Sequence, residues 1–316
     1  MLWNLIEISV QVGLLYAPLV LGIYLAMGVL SLPDLTLQGS FGIGGSVSAV
    51  LTVNGHHPLY SLAMGMLAGA ACGLVTALLH MWLRLNVLLA SILVATAAYS
   101  ACLVIMKSGN VALFGADTAF SWADDTGLSY RYATIITGAV VTLVCALVLL
   151  WFLRTDYGLS LVATGQNIQT ARGLGIRTEH RQAVGLAVAN ALAALSGALV
   201  VQNQGFMDVT IQNGVIVIGL AAMMVGLSLT WSPRVVPTVL ALIIGVVVYR
   251  FAVAGSLQLG LDPNLLQMIT AVLVIVVIAL RSHGRSLARS VTAAGRNERR
   301  VAQARFYEED RVASFI

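Results

Sequence analysis

Residues 154–181 read RTDYGLSLVATGQNIQTARGLGIRTEHR, and this stretch decides how the rest of the chain is read. Arg154, Arg172, Arg177 and Arg181 occur here with Asp156, Glu179 and His180, between two long apolar runs. From residue 5 to residue 280 charge is otherwise scarce. A polar segment of this length has to face water, and its arginine excess places it on the cytoplasmic side of a membrane. A chain that puts its only substantial internal loop there uses it to touch a cytoplasmic partner. The expectation is the membrane subunit of a transporter driven by a separate motor.

Composition agrees. Of 316 residues, 59% are hydrophobic and 9% charged, whereas a soluble domain averages about 25% charged. Eight of the 17 basic residues lie from Arg281 onward, so the basic balance mostly reports a tail. The arginines flank apolar spans without interleaved aromatics, which excludes nucleic acid as a partner. Cys72, Cys102 and Cys145 sit inside apolar runs with neither metal nor disulfide spacing. The N-terminus lacks basic residues and carries Glu7, unlike a signal peptide, so its first apolar stretch is expected to remain as a span.

A spanning helix needs about 20 mostly apolar residues. Nine segments qualify: 5–30, 35–53, 58–83, 87–106, 131–153, 182–201, 210–229, 234–253 and 263–281. The second holds Gly39, Gly42, Gly44 and Gly45, so it either crosses or forms a broken or re-entrant segment, giving eight or nine spans. The expected fold is an all-α polytopic bundle over 1–281, with an arginine-rich cytoplasmic tail over 282–316. Arg84 and Arg234 mark shorter turns on the arginine-loop side. Asp117, Asp124 and Asp125 put 107–130 on the other side. Counting from these anchors places the N-terminus outside and the C-terminus inside. Trp3, Trp82, Trp151 and Trp231 fall at span ends, where an indole prefers the headgroup layer. Arg250 and Tyr249 are expected near an outer end, with Arg250 snorkelling. Gly65, Gly69 and Gly73 point to close helix packing and not to a site. In the tail, Arg281, Arg285 and Arg289 either are solvated or meet anionic lipid.

A short internal repeat is visible. Asp34-Leu35-Thr36-Leu37-Gln38 returns as Asp208-Val209-Thr210-Ile211-Gln212, followed by Gly39-Ser40 and Asn213-Gly214. The copies, about 5–106 and 182–281, start five spans apart and so enter the membrane from opposite sides, the pattern of an inverted repeat. Asp34, Thr36, Asp208 and Thr210 are placed to cap helix starts. Gln38, Ser40, Gln212 and Asn213 are costly in lipid and are the candidate lining of a central path.

Enzymatic signatures are missing. Lys107 is the sole lysine and follows Met106, so no phosphate-binding loop exists. Neither a zinc-protease nor a serine-hydrolase motif is present. His56 and His57 lie on an outer turn and read as solvated, not metal-bound. No acidic relay for proton coupling stands inside the spans.

Gly158-Leu159-Ser160-Leu161-Val162-Ala163-Thr164-Gly165-Gln166-Asn167, continuing through Ala171-Arg172-Gly173-Leu174-Gly175-Ile176, resembles the coupling loop of permeases in the branched-chain amino acid and ribose ABC importer family. The Asp34–Phe41 stretch is similar to a subgroup associated with binding proteins for tryptophan and other aromatic amino acids. The resemblance covers about residues 15–280. It implies a bacterial inner-membrane permease with a second permease chain, identical or not, two cytoplasmic ATP-binding subunits and an extracytoplasmic solute-binding protein. ATP would be bound by the partner, with no cofactor in this chain. The residues themselves agree: a short helix from about Gln166 to Leu174 would present Asn167, Thr170 and Arg172 to a docking groove of the ATPase, with Gly175 at a flanking turn. Relatives usually carry arginine where this chain has Val162, so that contact is missing or has moved to Arg172. A secondary transporter without an ATPase is the alternative that the inverted repeat accommodates.

Overall fold

The computed structural model describes residues 2–122, 129–230, 235–258, 268, 270–272 and 275–276. Helix α1 (Leu2–Ile23) continues into a π-helical segment, Tyr24–Val29, followed by α2 (Thr36–Val53), α3 (Pro58–Trp82) and α4 (Val87–Met106). Strand β1 (Asn110–Ala112) and helix α5 (Tyr130–Arg154) come next. The arginine loop contains α6 (Asp156–Gln166) and α7 (Ile168–Gly173), and leads into α8 (Thr178–Gln204). Strand β2 (Phe206–Asp208), a 3-10 turn (Val209–Gln212), α9 (Val215–Leu229) and α10 (Val235–Gln258) complete the order. All of these lie in one compact unit, Met1–Ala271; a second, Val272–Ile316, falls almost wholly outside the described residues. So do the 263–281 span apart from a few residues, the tail, Asp124, Asp125, Trp231 and Arg234.

The protein is a helical polytopic membrane protein. Among the described residues, seven helices are long and apolar enough to cross a bilayer. Trp3, Trp82 and Trp151 are exposed at helix ends. The packing is that of a lipid-embedded bundle, large apolar side chains outward and small or polar ones inward. On α4, Leu88, Leu89, Ile92 and Leu93 face out, while Ala90, Ser91, Ala98 and Cys102 are buried.

Helix α8 lies at the centre, with α1, α2 and α3 packed on it. Contacts of Ser40 with Asn190 and of Ser48 with Gln202 show that α2 runs parallel to α8. Helix α1 runs antiparallel: Gly22 abuts Ala189, Ser196 donates to the Leu15 carbonyl at 2.7 Å, and Gln11 reaches Asn203 at 3.2 Å. The Gly65, Gly69, Gly73 row of α3 lets three backbones meet. A Cβ on Gly65 would stand 2.8 Å from the Gly44 carbonyl oxygen; on Gly69 it would collide with Ala194, and on Gly73 it would press on the Leu186 carbonyl. The row is a packing seam, as expected.

One reading left open by the sequence is decided, and the depth of Arg250 is corrected. The glycine-rich 35–53 segment is an unbroken helix of 18 residues. Its glycines fill close approaches, and most of its surface is buried by neighbouring helices, so it dispenses with a greasy exterior. The break falls instead in 210–229, where Gly214 takes φ +78° between the 3-10 turn and α9. Only a residue without a Cβ adopts that angle freely. Arg250 is likewise not at a helix end, because α10 continues two turns further, to Gln258.

A two-stranded antiparallel ribbon was not legible in the sequence. Asn110, Val111 and Ala112 pair with Asp208, Met207 and Phe206. It joins the segment after α4 to the segment after α8 at the end opposite α6 and α7. The two extremes of the bundle are called the ribbon end and the loop end below. At the ribbon end Glu7 pairs with Arg131 at 3.1 Å.

Candidate functional site

The arginine loop is two short helices and not an open connector. Thr155 caps α6 by accepting the Gly158 N–H at 3.2 Å. Asn167 caps α7, its Oδ1 accepting the N–H groups of Gln169 and Thr170, both at 3.0 Å. These bonds satisfy donors that a helix start leaves free. Gly175, at φ +80°, turns the chain out of α7, and the Ile176 N–H returns to the Ala171 carbonyl at 3.1 Å.

Helix α6 is fastened on both sides. The Tyr157 hydroxyl donates to the His180 carbonyl at 3.1 Å, and the Arg181 guanidinium lies 3.6 Å from the Tyr157 ring centroid. On the inner side Gly165 sits directly on the Val29 carbonyl, and Gly185 packs against Leu30 and Leu161. The loop thus rests on the last residue of the π-helical segment that ends the first span.

Asn167, Thr170, Arg172 and Gly175 fall together on the exposed turn around α7. Two are partly engaged. The Asn167 oxygen is spent on capping, and Arg172 is tied back to α8 through Thr178 at 3.0 Å and Glu179 at 4.0 Å. Leu174, 75% exposed on the same turn, is an apolar knob that sequence reasoning passed over. A leucine next to an exposed glycine turn was its only signal. Val162 is half-buried on α6.

The path candidates stand in different surroundings. Gln38 is half-buried, Gln212 is buried against Gly42, and Asn213 is exposed. Ser40 is buried and donates to Asn190 Oδ1 at 2.7 Å. Asn190, which the sequence did not single out, is the hub of a sealed polar network. Its Nδ2 donates to Asp34 Oδ2 at 2.7 Å and to the Leu186 carbonyl at 2.9 Å. Asp34 Oδ1 accepts the Thr36 N–H at 2.8 Å, and the hydroxyls of Thr36 and Thr76 lie 2.6 Å apart. Every member is fully buried, and among the described residues no cation faces Asp34.

The second Asp-x-Thr copy makes the same turn in a different setting. Asp208 Oδ1 accepts the Thr210 N–H at 2.8 Å and also the Thr210 hydroxyl, but this turn is exposed. Those bonds hold the Asp208 carboxyl below its ordinary range, so acid loosens the turn only once the pH falls below that of a free aspartate. Nearer the ribbon, Gln202 bridges Ser48 at 2.9 Å and the backbone N–H of Ala119 at 2.8 Å, tying α2 and α8 to the connecting segment. A cavity of about 430 Å³ opens there, lined by His56, His57, Asp117 and the 93% exposed Phe114. Among the described residues no group of three His, Cys, Asp or Glu is arranged to hold a metal.

Residues 5–278 match the family described as branched-chain amino acid transport system, permease component. The chain is 32% identical over 276 residues to a protein named tyrosine transport system permease protein of Clostridioides difficile, covering 87% of this chain and 90% of the relative. An uncharacterised protein of Rickettsia prowazekii is 28% identical over 280 residues, 87% of this chain and 97% of the relative. An autoinducer 2 import system permease protein of Yersinia pestis is 29% identical over 170 residues, 53% of this chain and 45% of the relative. No solved structure matches the chain.

Proposed function

The chain belongs to the permease components of branched-chain amino acid transport systems, and from that premise we propose that it carries an amino acid, in the first instance an aromatic one, across a bacterial inner membrane. It is the membrane-spanning permease of an ABC-type importer. The remaining assignments are our reading. Two copies pair with two cytoplasmic ATP-binding subunits and receive solute from an extracytoplasmic binding protein. ATP is held by the partner subunits. The N-terminus faces outward and the C-terminus inward, and the copies 5–106 and 182–281 form an inverted repeat. Aromatic specificity rests on the tyrosine permease relative.

The observation that carries the coupling assignment is the α6–α7 unit. It presents Asn167, Thr170, Arg172, Leu174 and Gly175 to solvent while its base sits on Val29 and on the start of α8. A push on that unit reaches α1 and α8 directly, and these antiparallel helices belong to opposite copies of the repeat. Closure of paired ATPases would thereby rock one half against the other.

The test is co-purification. Asn167→Glu with Arg172→Glu, and separately Leu174→Asp, are expected to reach the membrane in normal amount, because these side chains are exposed. Each is expected to weaken ATPase retention at least tenfold, the effect of losing about 1.4 kcal/mol of interface energy. Retention of the ATPase at the unmodified level, with solute-stimulated hydrolysis intact in both variants, sinks the coupling assignment.

A further inference from the structure

Arg250 has no role in the packing or coupling described so far. Its guanidinium carbon lies 3.8 Å from the ring centroid of Tyr16. Its Nε and Nη2 are shut off from solvent and have no hydrogen-bond partner among the described residues. Among the described residues the ion pairs are Glu7 with Arg131 and Arg172 with Glu179, so no carboxylate answers Arg250.

The depth of this cation matters. Tyr16 is the central residue of the Trp3–Val29 span, which sets the guanidinium near the bilayer midplane. The Tyr16 ring stacks on Phe41, with centroids 5.7 Å apart and an interplanar angle of 29°. Gly42, the next residue, is where the Gln212 amide packs, and Gln212 Oε1 is buried without a partner. One layer of the bundle therefore holds two unanswered donors, an unanswered acceptor and two aromatic rings. An unpaired cation in this layer is costly to keep, and intramembrane cations mark solute or ion routes.

The repeat sharpens the point. The step of 174 residues that carries Asp34 onto Asp208 also carries Tyr16 onto Asn190 and Thr76 onto Arg250. In one set Asp34, Thr36, Thr76 and Asn190 satisfy one another. In the other set the carboxylate, Asp208, lies at the ribbon, and the cation has no anion among the described residues.

We propose that Arg250 is a midplane contact for the carboxylate of the transported amino acid, with Tyr16 as the positioning residue that holds the guanidinium by its ring face. A guanidinium fork matches a carboxylate in two parallel hydrogen bonds. Gln212 Oε1 is the acceptor suited to the solute's ammonium group, and Phe41 and Tyr16 suit an apolar or aromatic side chain. The proposal rests on the amino-acid importer reading above and adds a residue and a chemical class to it.

The test uses the full permease–ATPase complex in proteoliposomes with its binding protein, and a radiolabelled mixture of the proteinogenic amino acids. Arg250→Gln is expected to raise KM at least tenfold, with thermal stability and ATPase co-purification unchanged. Arg250→Lys, which keeps the charge and loses the fork, should fall between. Tyr16→Phe should match the unmodified protein, whereas Tyr16→Leu should shift KM in the direction of Arg250→Gln. Tyramine, which lacks the carboxylate, should not compete for uptake, and the same amine should compete no better against Arg250→Gln. Uptake within twofold of normal in Arg250→Gln overturns the proposal. So does a fall in the thermal stability of Arg250→Gln that accompanies its loss of uptake, which would make Arg250 a structural residue. Absence of amino-acid uptake by the unmodified complex overturns it as well. Failure of the ATPase to co-purify with the unmodified chain is a separate result, and it strikes the importer reading instead.

Discussion

Gly44→Leu is expected to leave almost no folded protein in the membrane. A Cβ at this position would run into the backbone of Ala194 on α8, and on the other side α3 passes so close that a Cβ on Gly65 would stand 2.8 Å from the Gly44 carbonyl oxygen. Overfilling a tight interior costs roughly 1–3 kcal/mol when side chains can turn aside, and more when they cannot. Backbone atoms cannot turn aside, so the loss here is about 3 kcal/mol or more. The same argument applies to Gly197, whose neighbour is the Phe41 carbonyl. Gly109→Leu is the control, since open space surrounds that residue. The measurement is the monodisperse fraction after detergent extraction, followed by thermal unfolding. A Gly44→Leu protein that melts within a few degrees of the unmodified one would show that α2 and α8 do not meet here.

The second large effect belongs to Asn190. Asn190→Leu removes the donor to Asp34, the acceptor of Ser40 and the bond to Leu186 in one step. It leaves the fully buried Asp34 carboxyl and Ser40 hydroxyl each short of a partner, and an unanswered buried polar group costs about 1–3 kcal/mol. Asp34→Asn is expected to cost no more than about 1 kcal/mol. Its amide still accepts from Thr36, and Asn190 can flip, because the Ser40 hydroxyl both donates and accepts. Unfolding in denaturant, with both variants beside Asn190→Asp, reads the difference. Equal losses in Asn190→Leu and Asp34→Asn would show that the network contributes by shape alone.

Spans, loop and family were open to reading because each has a physical signature spread over many residues. Apolar length marks a span, arginine excess marks the loop, and glycine spacing on α3 marks a seam. Helix α4 was bounded at the same residues, Val87–Met106, that the structure gives. What escaped depends on contacts between distant segments. Asn190 is one asparagine in an apolar run, and nothing near it announces Asp34, far off in the chain. Phe206–Asp208 is too short for alternation to register as a strand, and its partner lies before α5. The break in 210–229 hung on Gly214 alone, whereas four glycines in 35–53 drew attention to a helix that is whole. A span that stops at residue 253 makes Arg250 a helix-end residue, whereas α10 runs on to Gln258. At the candidate site, Asn167, Thr170, Arg172 and Gly175 were legible as one loop. The seat of that loop on Val29 was not, because it needs Gly165 to meet a carbonyl from the first span.

The three-residue ribbon has a mechanical corollary. It laces the segment after α4 to the segment after α8 by backbone hydrogen bonds, so the helices that lead into them are pinned at that extremity. If they tilt against each other, the pin acts as a fulcrum and displacement grows with distance from it. Helix α2 alone is about 27 Å long, so a swing of about 10° moves its far tip by about 5 Å, close to one helical turn. The lever is therefore longest where α6 and α7 sit, and a small stroke applied there is the least demanding way to work the molecule.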